Sequence, residues 1–280
     1  MGLKVNTNTN ALQILNNMDT TNSKVSDSLR RLSSGLRITS AKDDASGFAI
    51  ANSFAAKISA MKVASQNASE AQSMLQTADG AYSKVNDILV RMKALATQAA
   101  SGQTENLTTM NNEFSKLQDE IDRIAASTKY GSTTLINGVG TSASGITFMV
   151  GATNTAPNQI TVAFSGATAA CLGVSSTGAG GVGIGSLASA QAAMDALDTA
   201  LTSVNAFMGS IGAYQNRLQY TVENLSVSIE NYASSESTIR DVDMASEIST
   251  FTKNQILQQS AMAMLAQANS APQQILTLLR

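Results

Sequence analysis

Three pairs of neighbouring carboxylates are the residues here best suited to chemistry: Asp43–Asp44, Asp119–Glu120, and Asp241 with Asp243. Paired acids can share general acid–base work when their environments push their proton affinities apart. Each of these pairs, however, falls at a predicted helix start or on a predicted solvated helix face. There a carboxylate caps backbone N–H groups or simply meets water. The chain of 280 residues contains no histidine, so the commonest general base is missing. Its lone cysteine, Cys171, allows no intrachain disulfide and no Cys/His metal cluster, and reads as a small apolar residue bound for burial. The run GAGGVGIG at 178–185 has phosphate-loop glycines but neither a lysine nor strand–loop–helix spacing, so it reads as a flexible loop. With aromatics at 4%, a small-ligand groove is not expected either. These observations predict no enzyme, no cofactor and no metal.

Charge and hydropathy exclude further classes. A formal net charge of −2 leaves no electrostatic footprint for nucleic acid. The start, MGLKVNTNTN, carries no apolar core of a secretory signal. The uncharged stretch 254–279 is long enough to span a bilayer, but Gln255, Gln258, Gln259, Gln267, Gln273 and Gln274 make it too polar to face lipid. A packed amphipathic helix is expected there instead.

What the sequence does carry is a sustained apolar rhythm of steps three and four, the mark of a coiled-coil seam. Met61, Ala64, Ala68, Ala71, Leu75, Ala78, Tyr82, Val85, Leu89, Met92, Ala96 and Ala99 follow it. So do Leu187, Ala190, Met194, Leu197, Leu201, Val204, Met208, Ile211, Gln215, Leu218, Val222, Leu225, Ile229 and Tyr232, with Gln215 the polar exception. At 1.5 Å per residue the second run makes a rod of roughly 70 Å, which cannot bury its stripe within itself. It must meet the first run or another copy of the chain.

Around these seams the other elements fall into place. A leading helix occupies 1–40, with Leu15, Met18, Val25, Leu29, Leu32 and Leu36 on one ladder, Asn22 its polar exception, and an interruption at Gly35 and Thr39–Ser40. Asp43 and Asp44 suit the start of the first long helix, which should end near Ser101–Gly102. Gly80 inside it should cost about 1 kcal/mol relative to alanine. An amphipathic helix over 104–129 presents Leu107, Met110, Phe114, Leu117, Ile121 and Ile124 on one face and a charged face including Glu113 and Asp122 on the other. No charge occurs from Tyr130 to Met194, and alternating Ile146, Phe148, Val150 and Ile160, Val162, Phe164 predict a hairpin around NTAPN. The second long helix is expected over 186–235 and a last one over 240–279, bent or ended locally by Pro272. The expected fold is mainly α: a long antiparallel coiled-coil bundle with a small β-hairpin region at about 131–185. Its N- and C-terminal helices pair. Residues 1–42 and 236–280 then form a terminal helical domain, and 43–235 the long-helix bundle.

Two segments carry a family resemblance. RRLSSGLRITSAKDDASGFAIAN (30–52) resembles the N-terminal signature of bacterial flagellins, and STIRDVDMASEISTFTKNQILQQSAMAMLAQANSAPQQILTLLR (237–280) resembles their C-terminus. The likeness covers about 1–138 and 186–280, leaving only about fifty residues between, as in a minimal flagellin without large outer domains. It implies a structural subunit of the flagellar filament. The rival it leaves open is a hook–filament junction protein, which resembles flagellin at both ends. An intracellular coiled-coil scaffold is disfavoured because only 14% of residues are charged.

The resemblance also implies partners. The first is the chain itself, in a helical homopolymer whose inner tube is built from the terminal helices. That gives an expected subunit interface at Leu29, Leu32, Leu36, Ile248, Phe251, Ile256, Leu257, Met262 and Leu265. An export chaperone, the flagellar type III export apparatus, and filament cap and junction proteins follow, with secretion into an extracellular filament. Residues 141–185 are expected outside and tolerant of insertion, for example after Thr177. Finally, LVRMKALATQ (89–98) resembles the family's patch for a Toll-like receptor of animal hosts, implying Arg91 as central contact, Leu95 as apolar neighbour and Glu113 as acidic partner.

Overall fold

The computed structural model describes residues 8–101, 106–138, 145–176 and 181–278, with side chains to residue 270. Gly102, Thr177 and residues 178–180 of the 178–185 loop therefore lie outside the described residues. The chain folds as two compact units, one comprising 1–58 and 230–280, the other 59–229.

In the terminal unit the helix ends follow capping chemistry. Helix α1 (Thr9–Ser34) starts where the Asn8 side chain accepts from the Ala11 N–H at 3.0 Å. It stops where Gly35, at φ 71°, turns left-handed and donates to the Arg31 carbonyl, a conformation that only glycine adopts cheaply. Helix α2 (Ala45–Ala99) is capped by Asp44, which accepts from the Ser46 and Gly47 N–H groups, each at 3.0 Å. Helix α4 (Leu187–Arg240) runs five residues past the expected end at 235. There Ser235 and Thr238 turn their hydroxyls back to carbonyls four residues earlier, and the serine-rich stretch stays helical. Helix α5 (Met244–Leu278) is capped by Asp243 through the Ala245 and Ser246 N–H groups. It runs through Pro272 instead of ending there; one missing donor does not stop a ladder this long. α1 and α5 pack side by side, as expected of the two termini.

The second unit holds the core. All twelve positions of the first seam are buried in α2. On α4 the seam splits. Ala190, Leu197, Val204, Ile211, Leu218 and Leu225 are buried. The alternate positions Met194, Leu201, Met208, Gln215, Val222 and Ile229 are only half-buried, and Leu187 is exposed. Helix α3 (Leu107–Ser127) turns Met110, Phe114, Gln118, Ile121 and Ala125 into this core. Two short antiparallel pairs follow, one more than expected. β1 (Lys129–Tyr130) pairs with β2 (Thr133–Thr134), and β3 (Ile146–Met149) with β4 (Gln159–Val162), Ile146 opposite Val162 and Phe148 opposite Ile160.

The glycine-rich stretch after β4 is not a free loop. Asn111, Gln118 and Asp122 project from α3 and bind its backbone. Asn111 Oδ1 accepts from the Ile184 N–H at 2.8 Å, Gln118 Nε2 donates to the Val174 and Val182 carbonyls, and Asp122 Oδ1 accepts from the Ala169 N–H at 2.8 Å. Tyr82 donates its hydroxyl to the Ser165 carbonyl, and burial pushes that phenol well above its usual range. Phe164, Ala167, Ala169, Leu172, Val174 and Ile184 are all buried. Insertion tolerance therefore does not extend across 160–176, because these residues are core. Cys171, expected to be buried, is an exposed free thiol: the turn sends Ala169 and Leu172 inward and leaves it outside.

Candidate functional site

The carboxylate pairs are spent on structure. Asp44 and Asp243 are caps, Asp241 accepts from the Ser237 hydroxyl, and Asp119 and Glu120 pair with Lys116 and Arg123 one turn away. Asp43 accepts the Thr39 hydroxyl, the Thr39 and Ser40 N–H groups and the Ser40 hydroxyl. Those bonds, the Thr39 hydroxyl's foremost, hold its carboxyl down at about 2. Among the described residues no cluster of acids and cysteine could hold a metal ion, and no helix is long and apolar enough to cross a membrane.

The feature left to explain is the surface of the paired terminal helices. Leu29, Ile248, Ile256, Leu257 and Met262 are exposed there, and Leu32, Leu36, Phe251 and Leu265 are half-buried. Four further exposed side chains, Leu12, Leu15, Met244 and Met264, extend the apolar surface. Leu15 stood on the sequence ladder of α1, and Met244 and Met264 belong to the apolar content that the sequence shows in the last helix; Leu12 was not marked. The contact between the helices is mixed: half-buried Ile14, Met18, Val25, Leu32, Phe251 and Leu265 share its ladders with polar residues. Ser28, Glu247 and Asn254 are buried. Gln258 donates to Asn22 at 2.6 Å, Asn8 donates to the Ala268 carbonyl at 2.9 Å, and Arg31 lies 3.8 Å from Glu247. An open groove of about 420 Å³ runs between Asn10, Gln13, Ile14 and Asn17 on α1 and Met264 and Gln267 on α5.

At the base of the pair, the 35–38 and 239–242 segments are stapled together. The Arg37 N–H donates to the Arg240 carbonyl at 2.7 Å, the Val242 N–H donates to the Gly35 carbonyl at 3.0 Å, and the Arg37 guanidinium caps the Ile239 carbonyl. Arg240 lies over the Phe48 ring, and Tyr232 meets Phe54 edge-on at 5.4 Å between centroids. Apart from the Tyr232–Phe54 contact, these join the segments 30–52 and 237–280.

A large apolar surface left exposed on a helix pair marks a site of protein association, and sequence comparison decides which. Residues 5–141 match the bacterial flagellin N-terminal helical region, and residues 194–279 match the bacterial flagellin C-terminal helical region. The chain belongs to the bacterial flagellin family. It is 37% identical to the flagellin of Bacillus subtilis (strain 168), over 99% of this chain and 100% of that one. It is 39% identical to the flagellar filament 33 kDa core protein of Treponema phagedenis, over 99% of each. A crystal structure of Bacillus cereus flagellin aligns with 57% of this chain and 88% of that one, at 27% identity and a TM-score of 0.49. As a flagellin the chain is a structural subunit of the flagellar filament and polymerises with itself; it is not an enzyme. Nothing in these likenesses favours a hook–filament junction protein.

The second predicted patch lies on α2 and α3 of the other unit. Arg91 and Glu113 are both exposed and joined by two hydrogen bonds, Nη2 and Nε to Oε1, at 2.7 and 3.0 Å. Leu95 is not beside them on the surface. It is 3% exposed and belongs to the core. Lys93 is paired with Asp198 on α4.

Proposed function

We propose that residues 1–42 and 236–280 of this flagellin form the inner tube of the filament, and that 43–235 form the long-helix bundle. Leu29, Leu32, Leu36, Ile248, Phe251, Ile256, Leu257, Met262 and Leu265 make the subunit contacts. The observation that supports this is the apolar exterior of the α1–α5 pair, whose Leu, Ile and Met side chains keep much of their surface exposed. The subunit leaves the cell through the flagellar type III export apparatus with an export chaperone, and adds to a filament bounded by junction and cap proteins. The test is assembly of Ile256→Asp and Leu265→Asp subunits onto wild-type filament seeds. A charge forced into an apolar contact costs several kcal/mol, so the critical concentration should rise by about 100-fold or more. Normal elongation by both variants would remove this surface from the interface.

The exposed Arg91–Glu113 pair supports a second reading: recognition by a host Toll-like receptor, with Leu95 holding the α2 face from beneath instead of touching the receptor. In a receptor reporter assay on monomeric protein, Arg91→Ala should lose most of the signal. Equal signal from variant and wild type would refute it.

A further inference from the structure

Inside a helix only proline is costlier than glycine. The two long helices hold four glycines: Gly47 and Gly80 in α2, Gly209 and Gly212 in α4. Gly47 is required by space, because a Cβ there would lie 2.5 Å from Asp44 Oδ2 and 2.7 Å from Ile38 Cδ1. The other three have no such need. Nothing lies within 4 Å of a Cβ built on any of them, so alanine would fit at each.

What the three share is their level along the bundle. α2 and α4 run antiparallel, with Lys93 paired to Asp198 and the Tyr82 ring centroid 5.8 Å from that of Phe207. Gly80 precedes Tyr82 by two residues and Gly209 follows Phe207 by two, so the two glycines come level. Both are exposed, and Gly212 lies one turn further along α4. Gly209 is followed by Ser210, whose hydroxyl turns back to the Ala206 carbonyl at 3.0 Å. Gly/Ser pairs are among the few places where helices kink.

The third helix stops at the same level. Arg91 of α2 pairs with Glu113 of α3, and the two helices run antiparallel through a short link, which brings the last residue of α3, Ser127, level with Thr77. On the Arg91 side of this level the section is three helices. On the other side it is α2 and α4 with the β3–β4 hairpin, which Asn67 holds by donating to the Met149 carbonyl at 3.0 Å. One glycine in one helix would be splinted by the helix beside it. A bend needs every helix at that level to yield together. Here both continuous helices carry glycine, and the third has ended.

We propose that the Gly80–Gly209 level is a bend joint of the subunit, about which the three-helix arm and the two-helix arm tilt. The joint lets a subunit held by several neighbours fit its bundle to them while the α2–α4 seam stays closed. It lies in the 59–229 unit and does not depend on which terminal-helix residues make the subunit contacts.

The test is amide exchange on the full-length monomer, with one substitution at a time. Bending opens hydrogen bonds in both helices at once. Gly80→Ala should therefore slow exchange at 209–216 in α4 as well as at 80–84 in α2, by about fivefold, the scale of the glycine-to-alanine difference in helix propensity. Gly209→Ala should do the same in the other direction. Amides at 89–96 should stay near their wild-type rates. Glycines that only weaken their own helices would act independently, as separated sites do. Slowing confined to the substituted helix would overturn the proposal, and so would equal slowing along the whole bundle. Asn224→Ala raises helix propensity at an exposed position away from the joint, and should leave 80–84 unchanged. Slowing there would assign the effect to propensity alone and overturn the joint. Filaments grown from Gly80→Ala/Gly209→Ala should fluctuate less in shape than wild-type ones; equal or larger fluctuation would overturn it as well.

Discussion

The terminal unit and the 59–229 unit divide the work of folding and assembly between them. In the latter, all twelve positions of the α2 seam are buried, and Phe114, Ile121, Leu135 and Ile136 are fully enclosed. In the terminal unit only Ala11, Ile38 and Ala51 are buried among apolar residues described there, while most of the exposed large apolar side chains belong to it. One unit closes its core within a single chain. The other satisfies its helix caps and linker bonds but leaves its apolar area in water. Burial of apolar surface is the main favourable term in association as in folding. A filament subunit therefore gains most from neighbours where its own fold gains least. α4 shows both habits in one helix, with every second seam position buried and the alternate ones half open.

The contrast can be broken most directly by truncating one side chain in each unit. Phe114→Ala should destabilise the monomer by about 3–5 kcal/mol, read by urea denaturation, because it empties a fully enclosed site. Leu257→Ala, at a residue 47% exposed, should change monomer stability by less than about 0.5 kcal/mol yet weaken the filament. Equal effects on the monomer would erase the distinction.

A smaller effect is expected at Gln118. Alanine there strands the Val174 and Val182 carbonyls, at a cost of about 1–3 kcal/mol, and should raise amide exchange across 169–184 before it affects the helices. If exchange there is unchanged, the segment is held by its apolar residues alone.

Gly80 sits exposed on α2 with nothing within 4 Å of where a Cβ would be. Gly80→Ala should stabilise the monomer by roughly 0.5–1 kcal/mol. A loss of stability would show that the helix needs that glycine.

The smallest change is acidic loosening of the 39–43 turn. Asp43 has its carboxyl lowered to about 2 from 3.8, so its contribution is complete above the unfolded value and fades as pH falls through about 2. Exchange at the Thr39 and Ser40 amides should quicken over that window, and Asp43→Asn should remove the pH dependence. A pH dependence that survives the substitution would place its origin elsewhere.

Much of the fold was legible because it is written in period and caps. The 3–4 steps gave both long helices, Gly35 gave the end of α1, and the alternation at 146–150 and 160–164 gave the β3–β4 pair. The resemblance at 30–52 and 237–280 gave the family. What could not be read was carried by polar side chains reaching across sequence. Gln118, in a helix otherwise read as apolar face against charged face, turned out to be buried and to pin a loop more than fifty residues away. Cys171 lay outside because its neighbours took the inward positions.

The terminal pair draws the same line. Sequence by itself determined that α1 and α5 are helices with apolar side chains in want of burial, since propensity, spacing and capping are local. Only the tertiary structure decided that Ser28, Glu247 and Asn254 go inside while Leu29, Ile248 and Ile256 stay out. A helix carries several stripes at once, and which one faces its partner depends on how the apolar and polar groups of both helices can be matched together.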